Sequence, residues 1–452
     1  MSQIRNHSEL LAHGRSAARE LALRIAERGL EACDPGRAVE RSVGLDGDAL
    51  RIGDRTYRLE PDGRVVVLGA GKASLAIAAA LERVLGDRLD GGLVIVRDAG
   101  GTPLRAIDVV EAGHPIPDAR SHAAGRALLD AASGLGERDL LLACFTGGSS
   151  ALASLPPAGV PDADKQRLHS LLLGSGMPIT EVNVVRKQVS AVKGGRIAAA
   201  ALPARIVNLT VSDVAGDVLD ALTDPTVPNE TGPADAVAVL RDHALWDEVP
   251  ATVRDHLLRE EPGPDLGGAD IQTELLVTGE TACAAMREEA GAVGVPATVL
   301  GTGIEAEAGA LGTVLGQIAA ESARFGRPFP APAVLLGCGG ESTVRLGSEG
   351  GFGEGGPNRE AALAAALRIA GEDVAAVFVD TDGADGGGAA AGAVVDGDTL
   401  ARAGRGSIDL RQAITAQRSG AAVDALGDAV DTGPTHTNVN DLFVIAIGAG
   451  SA

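Results

Sequence analysis

Short apolar segments along this chain are followed by Gly-rich turns and then by Ala-rich helical stretches. In the clearest examples the apolar residues are continuous instead of alternating with polar ones; these segments begin at Val65, Leu140, Glu274, Val334 and Val377. Continuous apolar strands that alternate with helices predict a mostly parallel sheet that is covered on both faces. In such a doubly wound α/β fold the loops after the strands lie along one edge, where ligands bind.

Chain length and polar stretches predict the domain organisation. Because 452 residues exceed one ordinary hydrophobic core, we expect two α/β domains, the larger built on the doubly wound sheet. Periodic apolar positions predict a helical preface over residues 1–50, and the polar stretch from Arg51 predicts a small hairpin. A polar, Pro- and Gly-rich segment then separates an N-terminal domain (1–245) from a C-terminal domain (271–452), which makes residues 246–270 the boundary region.

Composition excludes several classes of protein. With a formal charge of −22, one Trp, one Tyr and six Phe, the chain would repel a phosphate backbone and could hardly stack on bases, so we expect no nucleic-acid partner. The four cysteines are far apart and form no CxxC pair, which indicates neither a zinc site nor a disulfide framework. No segment approaches the roughly 20 apolar residues of a membrane span, and the start lacks an apolar signal core. A cytoplasmic location is therefore expected.

Lysine is rare, with four residues among the 39 Lys and Arg of the chain. Three of them, Lys72, Lys187 and Lys193, lie in segments that carry Gly, Ser or Arg, whereas Lys165 lies outside such a motif and is expected to be exposed. A GC-rich genome could deplete lysine without any functional reason. The alternative is that lysine persists where a compact ammonium does what a planar guanidinium cannot, for example on a phosphate group.

The sequence GAGKAS, residues 69–74, follows a predicted strand and opens a predicted helix. Its position favours a phosphate or carboxylate at the helix start, near Gly71, Lys72 and Ser74. The GxxxxGK spacing of a Walker A loop is absent. The dinucleotide fingerprint is weak because Ser74 replaces its third glycine, and the next strand does not end in an unambiguous acid for a ribose. A nicotinamide cofactor is therefore disfavoured.

A second cationic segment runs from residue 186 to residue 196 and contains Arg186, Lys187, Lys193 and Arg196 without one acid. On a continuous helix Arg186 and Lys193 would share a face. A solvated basic helix is one interpretation. In a chain this acidic, a basic run without interleaved acids favours an anion pocket.

Two groups of acids follow predicted strands. Asp213 comes directly after a strand that ends at Ser212, where a carboxylate can take a proton from a hydroxyl group, hold Mg²⁺ or cap the next helix. The turn at residues 380–388 contains Asp380, Asp382 and Asp385, whose spacing does not match an EF-hand. These acids are either solvated or contacts for Mg²⁺ or substrate.

Eight motifs in order resemble one known family, the glycerate 2-kinases once labelled hydroxypyruvate reductases, with their leucine-rich C-terminal module. The motifs are GAGKAS, EAGHPIPD, TGGSSAL, NVVRKQVSAVKGG, VSDVAGD, GGEST, DTDGADGGGAAAGAVVDG and GPTHTNVNDL. Each is weak alone, but their order spans nearly the whole chain. The resemblance implies transfer of a phosphoryl group from ATP, with Mg²⁺, to the C2 hydroxyl of D-glycerate in a cleft between two α/β domains.

The resemblance also implies roles for individual residues. Lys72 would contact phosphate or the substrate carboxylate, and Asp213 would orient or deprotonate the accepting hydroxyl or hold the metal. Asp380 and Asp382 are candidate metal ligands. Further substrate or phosphate contacts are expected at Gly71, Ser74, Ser149, Ser150, Arg186, Lys193, Glu341, Arg359 and Asn438. The alternatives are a kinase for another small hydroxy or sugar acid, such as erythronate or threonate, and an NAD(P)H-dependent hydroxypyruvate reductase; homodimer formation is left open.

Four positions depart from the commoner pattern of that family. Ser149 replaces a glycine in the TGGSSAL turn, and an arginine expected at Pro357 is found instead at Arg359. Asp224 stands in a TDPT segment where SGPT is common, and His436 stands where glycine is frequent. An extra acid and an imidazole near an anion site predict a different or longer hydroxy acid if they line the acceptor pocket.

Overall fold

Interleaved helices and strands build two separately packed units in the computed structural model, which describes residues 3–101, 103–212, 224–339, 355–386 and 388–449. The parallel-sheet unit comprises residues 35–212 and 224–276, and the mixed-sheet unit comprises residues 3–34 and 277–449. Two predicted site residues, Asp213 and Glu341, lie outside the described residues.

The chain begins with helices and a small antiparallel sheet. Its first elements are α1 (His7–Leu10), α2 (Ser16–Ala32), α3 (Pro35–Ser42), β1 (Val43–Asp46), β2 (Ala49–Ile52) and β3 (Arg55–Arg58). The sheet order is β1-β2-β3, so strands begin before residue 51, where the sequence predicted them. Gly47 and Gly53 explain the difference because both adopt φ +57° and supply the left-handed conformation that tight hairpin turns require.

A six-stranded sheet forms the centre of the parallel-sheet unit. Its strands are β4 (Val65–Ala70), β5 (Gly91–Val96), β6 (Ile107–Glu111), β7 (Leu140–Phe145), β8 (Arg205–Val211) and β9 (Ile271–Val277), in the order β6-β5-β4-β7-β8-β9. The β4–β5, β4–β7, β5–β6 and β7–β8 pairs are parallel. All six residues of β7 are buried, as expected for a strand covered on both faces. The predicted α/β class and parallel sheet are confirmed.

Besides α3, eight α-helices of the described chain belong to this unit. They are α4 (Ser74–Leu85), α5 (Ala119–Ser133), α6 (Ser149–Leu152), α7 (Asp162–Gly174), α8 (Ile179–Gln188), α9 (Arg196–Ala201), α10 (Pro233–Asp242) and α11 (Ala251–Leu257). Helix α11 lies in the predicted boundary region, yet Val253 and Leu257 are buried in a core with residues of α7, α8 and α10. Of the described helices, none combines the length and apolar character needed to cross a membrane.

The second large sheet differs from the predicted architecture. Its strands are β10 (Ala297–Gly301), β11 (Ala333–Gly339), β12 (Val374–Asp380), β13 (Gly392–Asp396), β14 (Ala429–Val430) and β15 (Asp441–Ile447), in the order β10-β11-β15-β12-β13-β14. The β10–β11 pair is parallel, whereas the other four pairs are antiparallel. A continuous apolar run reports that a strand is buried on both faces and carries no information on its direction. The prediction of a parallel sheet from the apolar segments at residues 334 and 377 is therefore wrong.

Helix α2 packs with the mixed-sheet unit because of a buried ion network. The unit's other helices are α12 (Gly279–Ala292), α13 (Ala308–Phe325), α14 (Pro357–Ala366), α15 (Thr399–Arg405), α16 (Leu410–Thr415) and α17 (Ser419–Leu426). Arg19 of α2 is fully buried and pairs with Asp396 and, at 2.8 Å, with Asp428. Since a buried charge is tolerated only when it is paired, these contacts tie residues 3–34 to the second unit. The predicted domain 1–245 instead joined them to the first.

Candidate functional site

The carboxyl ends of the parallel strands carry several of the sequence motifs. GAGKAS begins within the last two residues of β4, GHPIPD follows β6 and TGGSS follows β7, while β8 ends at Val211, shortly before the SDV motif. Since these strands are parallel, their carboxyl ends lie at the same edge of the sheet. This is the edge at which an α/β sheet binds ligands.

Two of these turns are hydrogen-bonded to each other. The Lys72 N–H donates to the Gly147 carbonyl oxygen at 2.9 Å, and the Ala73 N–H donates to Thr146 Oγ1 at 3.1 Å. The Thr146 N–H returns a bond to the Ala70 carbonyl oxygen at 3.0 Å. These backbone hydrogen bonds therefore fix the main chain at Lys72, and the residue is half-buried.

Gly71 is needed where the two turns meet. A Cβ at this position would lie 2.2 Å from Thr146 Oγ1 and 2.7 Å from the Thr146 carbonyl oxygen, at a φ of +135°. We expect Gly71→Ala to destabilise the protein by about 3 kcal/mol, because the backbone cannot move away without strain. Urea unfolding measures the change. The control is Gly174→Ala, where a Cβ meets nothing within 4 Å; equal stability of the two variants would contradict the expected crowding.

His114 is a candidate site residue that was not among the residues predicted from the sequence. A Cβ built on Gly148 would lie 3.1 Å from His114 Nε2 and 3.7 Å from Lys72 Cγ. The imidazole and the lysine stem therefore lie on the same side of Gly148, which adopts φ +87° and, lacking a Cβ, leaves room for both. The available signal was the GHPIPD motif after a strand. A histidine beside Lys72 adds a second group that can bond to an oxyanion.

The serines of the two turns have different surroundings. The buried Ser74 hydroxyl donates to the Cys144 carbonyl oxygen at 2.7 Å, so this side chain holds the first turn against β7. Ser149 and Ser150 begin α6, and Ser149 is buried while Ser150 is half-buried. Their contacts with substrate or phosphate stay predictions.

The cationic segment does not form one helix. Helix α8 ends at Gln188, Gly194 and Gly195 adopt φ of +60° and +80°, and α9 begins at Arg196. Arg186 and Lys193 therefore do not share a helix face. Both side chains are nevertheless buried, at 7% and 2% exposure. A solvated basic helix is thus excluded, and the pocket interpretation gains support.

Lys165 was expected to be exposed, and that expectation is wrong. Only 3% of its surface is accessible, and its Nζ donates to the Val189 carbonyl oxygen. The buried residues of α7 are Lys165, Leu168, His169 and Leu172, which follow the spacing of one helix face. The helical pattern therefore contained the signal, since it places the lysine in the apolar stripe.

These buried cations lower one another's affinity for protons. Burial, together with the nearby Arg186 and Arg196, lowers the pKa of Lys165 to about 7. Burial, Lys165 and Arg186 lower the pKa of Lys193 well below its usual value. Burial and the same cations lower the pKa of His169 to about 3, so the neutral ring donates its Nε2–H to the Pro115 carbonyl oxygen at 3.0 Å. The region has an excess of positive potential.

The buried lysine predicts a specific pH dependence of stability. Because the pKa of Lys165 is lower in the folded than in the unfolded protein, the unfolded chain binds more protons between about pH 7 and 10, and stability rises through that window. Lys165→Met should reduce the slope by up to about 1.4 kcal/mol per pH unit. Urea unfolding at pH 6 to 10 measures it, with the exposed Arg167→Met as control. Equal slopes in wild type and Lys165→Met would contradict the shift.

Arg359, in the mixed-sheet unit, has a partner inside the fold. Its Nε donates to Asp385 Oδ2 at 3.0 Å and its Nη2 donates to the Asp385 carbonyl oxygen at 2.9 Å. Both side chains are buried, with 3% and 0% exposure. This pair fastens the start of α14 to the turn after β12. The geometry therefore gives Arg359 a structural role, and its predicted contact with substrate is not supported by these bonds.

Acids collect at one edge of the mixed sheet. Asp380 ends β12 opposite Asp441, the first residue of β15. Asp380 Oδ1 accepts from the Asp382 N–H and Asp382 Oδ1 accepts from the Ala384 N–H, both at 2.8 Å. Within the described ranges, no group of three or more His, Cys, Asp or Glu side chains is arranged to hold a metal ion. The buried Asn438 lies near this edge, with its Oδ1 accepting from the Asn440 N–H at 3.0 Å.

Two departures from the family pattern have structural explanations. Asp224 is buried, and its carboxylate accepts from the Thr226 N–H and hydroxyl at 2.6 Å and from Asn208 Nδ2 at 3.1 Å. It thus organises its own loop instead of facing an acceptor. His436 is exposed and adopts φ +57°, a left-handed conformation that favours glycine. The expectation that both line an acceptor pocket receives no support from this geometry.

Comparisons with known proteins agree with the motif order. Residues 21–258 match a family described as a domain of unknown function, DUF4147, and residues 334–441 match the MOFRL family. A glycerate 2-kinase of Pyrococcus horikoshii is 37% identical over 95% of this chain and 97% of its own. A relative from Agrobacterium vitis, provisionally named a hydroxypyruvate reductase, is 38% identical over 96% and 95%. The crystal structure of glycerate kinase from Thermotoga maritima superposes with a TM-score of 0.81 at 34% identity, covering 95% of this chain and 99% of that one.

Proposed function

Because this chain belongs to the glycerate 2-kinase family, we propose that it transfers the γ-phosphoryl group of ATP to the C2 hydroxyl of D-glycerate. The products are 2-phosphoglycerate and ADP, and the hydroxyl proton is released. The observation that carries the proposal is the hydrogen-bonded pair of Gly-rich turns at the carboxyl ends of β4 and β7, with Lys72 and His114 beside Gly148. Phosphoryl transfer requires mainly positioning and charge neutralisation.

Lys72 is the proposed phosphate ligand. Its backbone is fixed by the bond to Gly147, so its flexible stem can bring a point charge to an oxygen of the transferred group. His114 approaches the same turn and can bond to a second oxygen. Asp213 is the proposed group that orients or deprotonates the accepting hydroxyl, since it follows the end of β8 in the sequence.

Mg²⁺ would be held by Asp380 and Asp382. A protein commonly supplies one or two carboxylates to this ion, and substrate phosphates and water complete its shell. Two aspartates in one short turn, each with Oδ1 bonded to a backbone N–H, fit that requirement. Bound there, the ion would supply positive charge of the kind that phosphoryl transfer requires.

A screen of ATP consumption against small hydroxy acids tests the proposal. We expect D-glycerate to be the best acceptor among D-glycerate, L-glycerate, erythronate and threonate, and phosphorus NMR should place the phosphate on C2. A different best acceptor would retain the kinase class and change the substrate. Absence of ATP consumption with all four acids would contradict the proposal.

The name of the Agrobacterium relative keeps a reductase as the second candidate. A hydroxypyruvate reductase would have to bind NAD(P)H. The loss of the NAD(P)H absorbance reports turnover directly. The first turn has Ser74 in place of the third fingerprint glycine, and that side chain is packed against β7. We therefore expect no oxidation of NADH or NADPH with hydroxypyruvate.

A further inference from the structure

Four cationic or imidazole side chains are gathered inside the parallel-sheet unit. This buried cation cluster consists of Lys165 and His169 on α7, Arg186 on α8 and Lys193 in the following loop. Each side chain is at least nine-tenths buried. No acid is among the groups that shift the pKa values of these four side chains, and no carboxylate in the described part of the chain pairs with any of them.

Arg186 is the member of the buried cation cluster that stays protonated at neutral pH. Burial lowers its pKa to about 10, so the guanidinium stays charged at neutral pH. Its Nη1 donates to Asn183 Oδ1 at 3.4 Å, but within the described residues its Nε has no hydrogen-bond partner. A buried charge with an unpaired N–H is costly unless a ligand supplies the acceptor. Among the described residues no carboxylate supplies that acceptor, and a small bound anion would supply it.

The cluster contacts the backbone of the loops that carry the candidate site. Lys193 Nζ donates to the Ala153 carbonyl oxygen at 2.9 Å, directly after α6. His169 donates to the Pro115 carbonyl oxygen at 3.0 Å, next to His114. Both loops reach Gly148. An anion in the cluster would thus lie behind the Gly-rich turns, on the same side of the unit as Lys72.

We propose that Arg186 binds the carboxylate of the hydroxy-acid substrate, with Lys165 and Lys193 neutralising the remaining charge; this rests on the proposed kinase function. An acceptor acid and ATP bring two kinds of anion to the enzyme, and the unit offers two kinds of site. The open, Gly-rich turns with Lys72 suit a phosphate chain. The enclosed guanidinium fork suits a planar carboxylate, which it can bind with two parallel hydrogen bonds.

The test compares an acceptor with and without the carboxylate. D-glycerate and glycerol differ by this group, so the ratio of their kcat/KM values measures its recognition. We expect Arg186→Gln to lower that ratio by about 100-fold, mainly by raising the KM for D-glycerate, while the KM for ATP changes less than threefold. Arg167→Gln, an exposed neighbour on α7, is the matched control and should leave the ratio unchanged.

Other outcomes separate the two proposals. If the wild type does not phosphorylate D-glycerate, the proposed function fails. The carboxylate assignment is then tested with the best acid of the screen and its alcohol analogue in place of D-glycerate and glycerol. If Arg186→Gln leaves the ratio unchanged, or raises the KM for ATP alone, the carboxylate assignment is overturned although the kinase stands. Should Arg186→Gln not fold, Arg186→Lys retains the charge without the fork, and we expect a drop of the ratio by about tenfold.

Calorimetry supplies a second readout that a structural role would not produce. An anion beside Lys165 favours its charged form, so binding of D-glycerate at pH 8 should take up protons from the buffer. Burial, Arg186 and Arg196 keep this lysine partly neutral beforehand, and His169 and Lys193 face it as well. Titrations in buffers of different ionisation enthalpy should show uptake in the wild type and none in Lys165→Met. Uptake that is equal in both proteins would overturn the assignment.

Discussion

Replacement of Lys72 by alanine is expected to abolish measurable turnover, a loss on the order of 10³-fold or more, with the fold intact. The hydrogen bond that joins the two turns uses the Lys72 backbone N–H, which alanine retains. The variant therefore removes the ammonium group and leaves the hydrogen bond between the two turns in place. Steady-state kinetics with ATP and D-glycerate measure the loss, and thermal unfolding verifies the fold.

Lys72→Arg should restore little of this activity. The lysine stem lies beside Gly148 and the imidazole of His114, where a broad planar guanidinium does not replace a compact charge. Arg97→Ala is the matched control, because this exposed cation follows β5 at the same edge of the sheet. Near wild-type turnover of both Lys72 variants would remove the lysine from the site.

The apolar pattern predicted the layers of the fold better than the connections within them. Continuous apolar runs located β4, β7, β11 and β12 because burial on both faces leaves a local signature. Strand direction depends on which segments meet, and the antiparallel partners of β15 in β12 and β11 lie more than 60 and more than 100 residues earlier in the chain. The packing of α2 in the mixed-sheet unit involves ion pairs of Arg19 with Asp396 and Asp428. No local sequence pattern predicts these long-range pairs.

The candidate site was predictable where its signal was local. Gly-rich turns after strands located Gly71, Lys72 and the region of Ser149, and parallel strands brought them to one edge. The pairing of Arg359 with Asp385 was not predictable in this way, because a different element supplies the partner. Lys165 was missed for another reason: its burial was readable from the spacing on α7, but a charged residue was assumed to point to solvent.

The second large effect is expected at Asp213, which in the sequence comes two residues after Val211, the end of β8. Asp213→Asn should lower kcat by roughly 10²-fold or more, because a positioned base contributes that much to proton transfer. ATP should still bind, since the substitution removes a negative charge and adds no bulk. Single-turnover kinetics measure the chemical step, and titration with a non-hydrolysable ATP analogue measures binding.

A helix cap is the competing role for Asp213, and the pair of Asn and Ala variants separates it from catalysis. Asparagine caps a helix about as well as aspartate, whereas alanine costs about 1 kcal/mol. If Asp213 only caps, Asp213→Asn retains both activity and stability while Asp213→Ala loses stability alone. If it acts on the hydroxyl or the metal, both variants lose activity alike. Asp98→Asn, an exposed acid that follows β5, should change neither quantity, which ties the loss to position 213 instead of to the charge of this edge.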